Sequence, residues 1–536
     1  MLLLNKYLTN QNYFKTKIKQ MRKLTIVALL AAFMNFGYSQ NKLTLDNIIS
    51  AKIKNAGSIK EGEAIKGYYI FYESDKIDRK TREYTIQILD QNANATKKVT
   101  MQESKDVDLL DAEFNETHLC FFFVNKDQKK YVYKIYDIDG KLSYEYEKEY
   151  DKGDYWLFEE KRKMIDPDGE GQSNNLIAIP GMGFVSLMPV RQGGANLFEI
   201  GYYSSISKKE YVYRPEFEER QTNAITLGVV DSTLFLEVAK KKRLMSGDSK
   251  TTTFAYNVIS QKKVFELEDN FDGKYRAMPT YLQKEEGSGN FILVASYFNE
   301  KDDVSKDYGE GTAFYTMNSK GQVLSRSYSP WQGTFSKFIP VNENGKIDEI
   351  GYLCIQKIIK ASNGKVFVLA EGYKRNFNAL GAAFSMLSRS NAGFTKIVIT
   401  DLVLMEFDNT FKLQSAKVYK KIQQTGFAGG ATDYASQHSI AAFLKASGSF
   451  GYDFTTSNKD NSSFSFCYSN YEKSDDYKGS TFNSIHYSNN KLTTDKINLN
   501  TKASFLRVFP AKQGYVAIYE YFKKEKKIEF RLEKMN

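Results

Sequence analysis

Histidine, cysteine, tryptophan and proline are scarce in this chain: 3, 3, 2 and 8 in 536 residues. Each scarcity removes a class of function. His118, His438 and His486 form no HxH or HExxH pair, so a histidine-based zinc hydrolase or a catalytic triad is poorly supported. Cys120, Cys354 and Cys467 lie far apart and no CxxC occurs, which excludes a disulfide framework and gives no thiolate zinc site. Each cysteine sits in a strand-like run and reads as a buried, inert thiol. The GxSxG frame is missing, because Ser449 has Gly451 after it but Ser447 before it. A strong charge imbalance is lacking too. Net charge is +11, but six of the 75 basic residues fall in the first 39 positions, where there is no acid. That leaves 69 basic against 64 acidic residues, too even a balance for a nucleic-acid partner.

Past the N-terminus no stretch approaches 18 apolar residues, so no integral membrane segment is expected in the mature chain. The N-terminus itself reads as an export signal. Met21-Arg22-Lys23 is positive, Leu24 to Phe36 is a largely apolar run, and Gly37-Tyr38-Ser39 places small residues before a cut at Gln40. The run is too short to span a bilayer comfortably, and no cysteine follows it to carry a lipid. The expected division is 1–39 as N-terminal extension and signal peptide, with Met21 the true start, and 40–536 as the folded domain in the periplasm or outside the cell.

What the chain has in abundance is tyrosine and phenylalanine, 37 and 38. They recur with valine and isoleucine in alternating runs of 5–9 residues, such as Tyr131 to Ile138. Tight turns separate the runs: Asp137 to Gly140, Asn318 to Gly321, Ser362 to Gly364. Short turns leave no room for crossover helices, so the strands must pair antiparallel. They group into a recurring four-strand unit, clearest at 352–421. The same order fits 107–148, 175–214, 223–268, 276–328, less well 438–497, and 49–103 with a poor first strand. Residues 504–533 supply three strands, and the spare stretch Lys42 to Asn47 offers a fourth. The expected fold is all-β: a single β-propeller of seven or eight four-stranded blades, eight by count, with helical inserts near 374–396 and 421–445. A pair of β-sandwiches is the alternative.

In such a unit the first-to-second and third-to-fourth connections share one face of the ring, and the remaining connections share the other. The long connections, 149–174, 240–251, 299–311, 374–396 and 421–437, all belong to the second class. One connection, 447–462, reads as first-to-second and breaks the pattern. An elaborated face around a central channel is the expected place for a ligand. Candidate ligand-binding residues on it are Tyr155 and Trp156, an aromatic platform, Arg375 and Phe377 at the 374–396 insert, and His438 after the 421–437 connection. Asp166, Asp168 and Glu170 resemble the opening of a calcium loop, but Ile177 stands where a bidentate acid would close it. Calcium at this weak site is the one cofactor weighed; otherwise none is expected.

The glutamine after the cleavage site, the Lys/Asn/Tyr-rich usage and hairpins such as Asp137-Ile-Asp-Gly-Lys141 resemble secreted proteins of Bacteroidota. Within that group the chain is similar to an uncharacterised family with propeller-like repeats. The resemblance implies a repeat fold and carries over no catalytic residue. The function expected is a cell-envelope binding or scaffold protein whose elaborated face takes a protein or glycan. The rival is a polysaccharide hydrolase or lyase working through two carboxylates, which needs no histidine.

Overall fold

Strand pairing organises nearly all of the chain. The computed structural model describes residues 42–51, 56–61, 64–165, 175–242, 249–285, 287–304, 307–378, 394–428, 433 and 435–535. Among these, the strands form seven sheets. Six contain one four-stranded antiparallel meander each. The seventh holds two meanders, joined by a single parallel bridge between Asn196 and Gln221. In chain order the units begin with inner strands Ala56–Glu61, Val107–Phe114, Leu176–Ile179, Gln221–Val230, Arg276–Lys284, Tyr352–Lys360, Tyr452–Ser457 and Phe505–Pro510. The architecture is a β-propeller. The segments 1–41, where the export signal is expected, and 166–174, with Asp166, Asp168 and Glu170, lie outside the described residues.

The alternation read in the sequence is what packs unit against unit. In the second strand of unit two, His118–Asn125, residues Leu119, Phe121 and Phe123 join a core with unit one. The intervening Cys120, Phe122 and Val124 join a core with unit three. A strand buried on both faces reads as a continuous apolar run, whereas the outermost strand Leu142–Glu149 alternates with exposed positions. The same device recurs between successive units: Phe235 on Phe291 at 4.8 Å, Phe314 on Phe407 at 5.0 Å, Phe367 on Phe464 at 5.4 Å. Tyr68 of unit one meets Phe530 of unit eight at 5.0 Å, so the first and last units share a core as well. All three cysteines are buried: Cys120 and Cys467 between successive units, Cys354 on unit six beneath the 437–446 segment. The sequence-read turns form as expected: in the Asp137 turn, Gly140 takes φ +74° and its N–H donates to the Asp137 carbonyl.

Unit eight is completed by the N-terminal strand. Lys42–Leu45 pairs antiparallel with Lys527–Lys534, Leu43 opposite Phe530 and Leu45 opposite Ile528. Both leucines are half-buried against the core shared by units one and eight. Replacing both by aspartate is expected to cost about 2 kcal/mol from lost apolar burial and to bare the edge of Lys527–Lys534 to other chains. Urea unfolding and light scattering check the two effects.

Three sequence readings need correction. Residues 437–446 are helical, in line with the insert expected near 421–445 and against a first strand in the unit read at 438–497; that strand is Tyr452–Ser457, and the connection to the second strand is only 458–462. The exception to the loop pattern therefore vanishes. The second strand of unit six runs to Phe377, so Arg375 and Phe377 are strand residues rather than part of a helical insert, and 379–393 lies outside the described residues. The connection after unit two contains a helix, Lys152–Ile165, that the sequence reading missed, and 331–351, which lies between the units read at 276–328 and 352–421, belongs with the long connections although it was not counted among them.

Candidate functional site

With these corrections, no first-to-second or third-to-fourth connection exceeds the six residues of 285–290. Every longer one, including 150–175, 299–310, 331–351, 378–394 and 420–451, opens on the other face. Two helices stand there: α1, Lys152–Ile165, and α2, Gln437–Ala446.

α1 is nailed down at its start. The Asp151 carboxylate accepts the Asp154 N–H at 2.8 Å, and the Asp154 carboxylate accepts the Arg191 N–H of unit three at 2.6 Å. Phe158 is buried against Phe122 and Tyr131. Tyr155 stacks on Tyr150 at 4.8 Å, so it is partly spent on holding the helix. Trp156 is 53% exposed. One turn on from Phe158, Lys161 reaches towards the Ala224 carbonyl of unit four at 3.4 Å.

α2 has two working flanks. Ser436 caps it by accepting the Ser439 N–H at 3.1 Å. Ile440 and Leu444 bury themselves against Cys354, Tyr373, Ile397 and Ile399 of unit six. His438 and Lys445 occupy the other flank. His438 Nε2 meets both oxygens of Glu237, on the second strand of unit four, at 2.8 and 2.9 Å. Burial opposes charge on the imidazole, but the Glu237 carboxylate outweighs it and holds His438 above the usual histidine range. Lys445 lies 4.8 Å over the Tyr281 ring of unit five. Arg375 Nη2 donates to the Ala435 carbonyl at 2.7 Å, just ahead of α2, while its Nε is buried without a partner. Thus Arg375 and His438 are brought together around one helix, whereas Trp156 stands on the other. Phe377, 71% exposed, lies at the rim of unit six with Phe394.

Carboxylates line the inner strands. Burial, then the neighbouring Asp111, pushes the Glu113 carboxyl up to about 8. Burial pushes the Asp453 carboxyl up to about 7. Arg507 of unit eight acts electrostatically on both. Asp111 is engaged by the backbone N–H groups of Asn175 and Leu176 at 3.1 Å.

Sequence reasoning missed Tyr308 and Tyr352, whose rings stack at 5.7 Å beside Arg375. Their isolation in the sequence gave no signal. Trp331, by contrast, is structural: its Nε1–H donates to the Gly309 carbonyl at 2.7 Å and its ring packs on Phe335. Among the described residues, no helix is long and apolar enough to cross a membrane.

The chain resembles solved propeller structures at very low identity. Sqt1 of Saccharomyces cerevisiae is 10% identical, with TM-score 0.42, over 93% of this chain and 100% of that one. The WD40 domain of SCAP from fission yeast is 8% identical, with TM-score 0.38, over 92% and 94%. The β-propeller domain of the Trilobed protease from Pyrococcus furiosus is 10% identical, with TM-score 0.28, over 68% and 92%. No curated protein matches the sequence. A family model, however, matches residues 21–536, nearly the whole length. The chain belongs to DUF6770, a family of unknown function.

Proposed function

We propose that this is an exported eight-bladed propeller of the bacterial cell envelope, closed by its N-terminal strand, whose elaborated face binds a protein or glycan. One observation carries the reading of the face. Every exposed large aromatic among the described residues lies on it: Trp156, Tyr308, Phe338, Phe377, Phe394 and, near the end of its strand, Tyr471. The opposite face exposes single isoleucines at its turns, Ile138, Ile206 and Ile259, as ordinary surfaces do. Exposed aromatics concentrated on one side are what binding surfaces use, because a ring offers large contact area with little entropy to lose. Export is supported by the apolar run after Met21, and the family model itself begins at Met21. The Asp166, Asp168 and Glu170 loop stays a candidate for calcium on this face, testable by isothermal titration with calcium chloride.

The triple variant W156A/F377A/F394A is expected to keep its stability within about 0.5 kcal/mol, because surface side chains contribute little. It should lose capture of envelope proteins or glycans in pull-down and glycan-array assays on residues 40–536. Equal capture by the variant and the wild type would remove the face from the reading.

A further inference from the structure

Units one and two leave a cavity of about 350 Å³ between them. Thr81, which starts the third strand of unit one, and Ser104, which ends its fourth, line one side. Val107, which starts the first strand of unit two, and Asn125, which ends its second, line the other. All four strand ends adjoin second-to-third or unit-to-unit connections, so the cavity opens on the elaborated face.

The cavity exists because the alternation that builds the core is broken there. Along the fourth strand of unit one, Val99 and Met101 face unit two, and the next residue on that side is Glu103. Along the third strand of unit two, Val132 and Tyr136 face unit one, and Lys134 stands between them. Glu103 and Lys134 meet in an ion pair across the two units, with side chains only 15% and 14% exposed. Apolar residues at both positions would continue the core, and an ion pair so little exposed is weak evidence for stability. Glu145 and Glu147, the cross-strand partners of Lys134 and Val132, extend the polar wall. Below it lies an apolar floor of Val107, Phe123 and Val132.

We propose that this cavity is a binding site for one neutral sugar residue of a glycan held on the elaborated face. The proposal rests on the reading of that face as a binding surface and names a subsite and its chemistry. The volume sits at the small end of ligand pockets, room for a sugar ring rather than a folded segment. Three carboxylates and one ammonium line the cavity, so an anion is disfavoured. Each carboxylate already has an ammonium within 4.0 Å: Lys134 beside Glu103 and Glu145, Lys130 beside Glu147 at 2.6 Å. A cation therefore finds no uncompensated charge. What the walls do offer is alternating acceptors and donors. Carboxylate oxygens accept hydroxyl protons, and Lys134 donates. The buried Asn125 gives its Oδ1 to the Gln128 N–H at 3.0 Å, which leaves its NH2 to donate. Hydroxyls suit such walls, and the C–H face of a ring suits the floor.

The test is saturation-transfer NMR on residues 40–536 with the methyl glycosides of glucose, galactose, mannose and N-acetylglucosamine, and with sodium glucuronate and putrescine as the charged probes. At least one neutral glycoside is expected to bind with Kd of about 1–10 mM, as a ligand of so few atoms allows. Q102W, which fills the mouth from an exposed position, should weaken it tenfold or more, and Q128A/E145A at least threefold. W156A/F377A/F394A, whose aromatics stand on α1 and beside unit six, should leave it unchanged. Circular dichroism and thermal unfolding establish that Q102W folds; if it does not, Q128A/E145A takes its place. No transfer to any neutral glycoside, tighter binding of glucuronate or putrescine, or unchanged affinity in the folded variant overturns the proposal. Partner capture that W156A/F377A/F394A abolishes, without glycoside binding, would sink this site and leave the face standing.

Discussion

Lys421→Met should destabilise the fold by about 3–5 kcal/mol, the usual consequence of removing one partner from a buried ion pair. Lys421 follows the last strand of the unit-six meander, and Glu371 lies in that unit's second strand. Their side chains are 1% and 0% exposed and in direct contact. Glu371 also accepts the backbone N–H groups of Gly451 and Tyr452, each at 3.0 Å, where unit seven begins. One carboxylate therefore stitches two units together, with Lys421 as its only cationic contact among the described residues. Without the ammonium a full negative charge remains in the interface, held by two amides. Removing the whole pair, in K421M/E371L, should recover part of the loss, because apolar replacement of a buried pair is often neutral. Recovery stops about 1–3 kcal/mol short, since the two amides then lack an acceptor. Urea denaturation with an unchanged slope measures both. A K421M loss below about 1 kcal/mol would mean that water reaches the pair.

The contrast between what sequence reading recovered and what it missed follows from where the information resides. Strand units were legible because a strand buried on both faces must be apolar throughout, as in Leu119 to Val124, and because turns such as Asn318 to Gly321 need special backbone conformations. The pairing of Lys42–Leu45 with Lys527–Lys534 was legible as a spare strand and a missing one. α1 was missed because its apolar positions are few and mixed with charge; among its described side chains only Phe158 is fully buried, and contacts from units two and three hold the helix. The segment 437–446 was ambiguous because Ile440 and Leu444 are four apart while Ala441, Ala442 and Phe443 fill the space between, so a short apolar run suits either period. At the site, His438 could be singled out by rarity alone. Its partner Glu237 could not, being one of 64 acids and 201 residues away. Lys161 and Lys445 likewise look like ordinary surface lysines until they are seen to reach the carbonyls of Ala224 and Thr280.

Substituting His438 by leucine should cost about 3 kcal/mol at pH 6, again by leaving a carboxylate nearly buried and unpaired, with a pH dependence that K421M does not share. The Glu237 contact raises the folded-state pKa of His438 above its unfolded value of about 6.5. A group raised in the folded state adds stability that is fully present below its unfolded pKa and fades as pH rises through the folded one. The stability gap between wild type and H438L should therefore be widest between the carboxylate range and about pH 6.5, and should narrow above it as the imidazolium loses its proton. The same contact docks α2 on one flank, while the other is held by Ile440 and Leu444 on unit six and by the hydrogen bond from Tyr373 to the Gln437 carbonyl at 2.9 Å. Losing it should loosen the helix before the units around it, so amide exchange at Ile440 to Leu444 should quicken in H438L while the strands keep their protection. Urea denaturation of both proteins from pH 5.5 to 9 reads the first effect, and exchange at pH 6 the second. A gap that widened with pH would mean that His438 is held neutral.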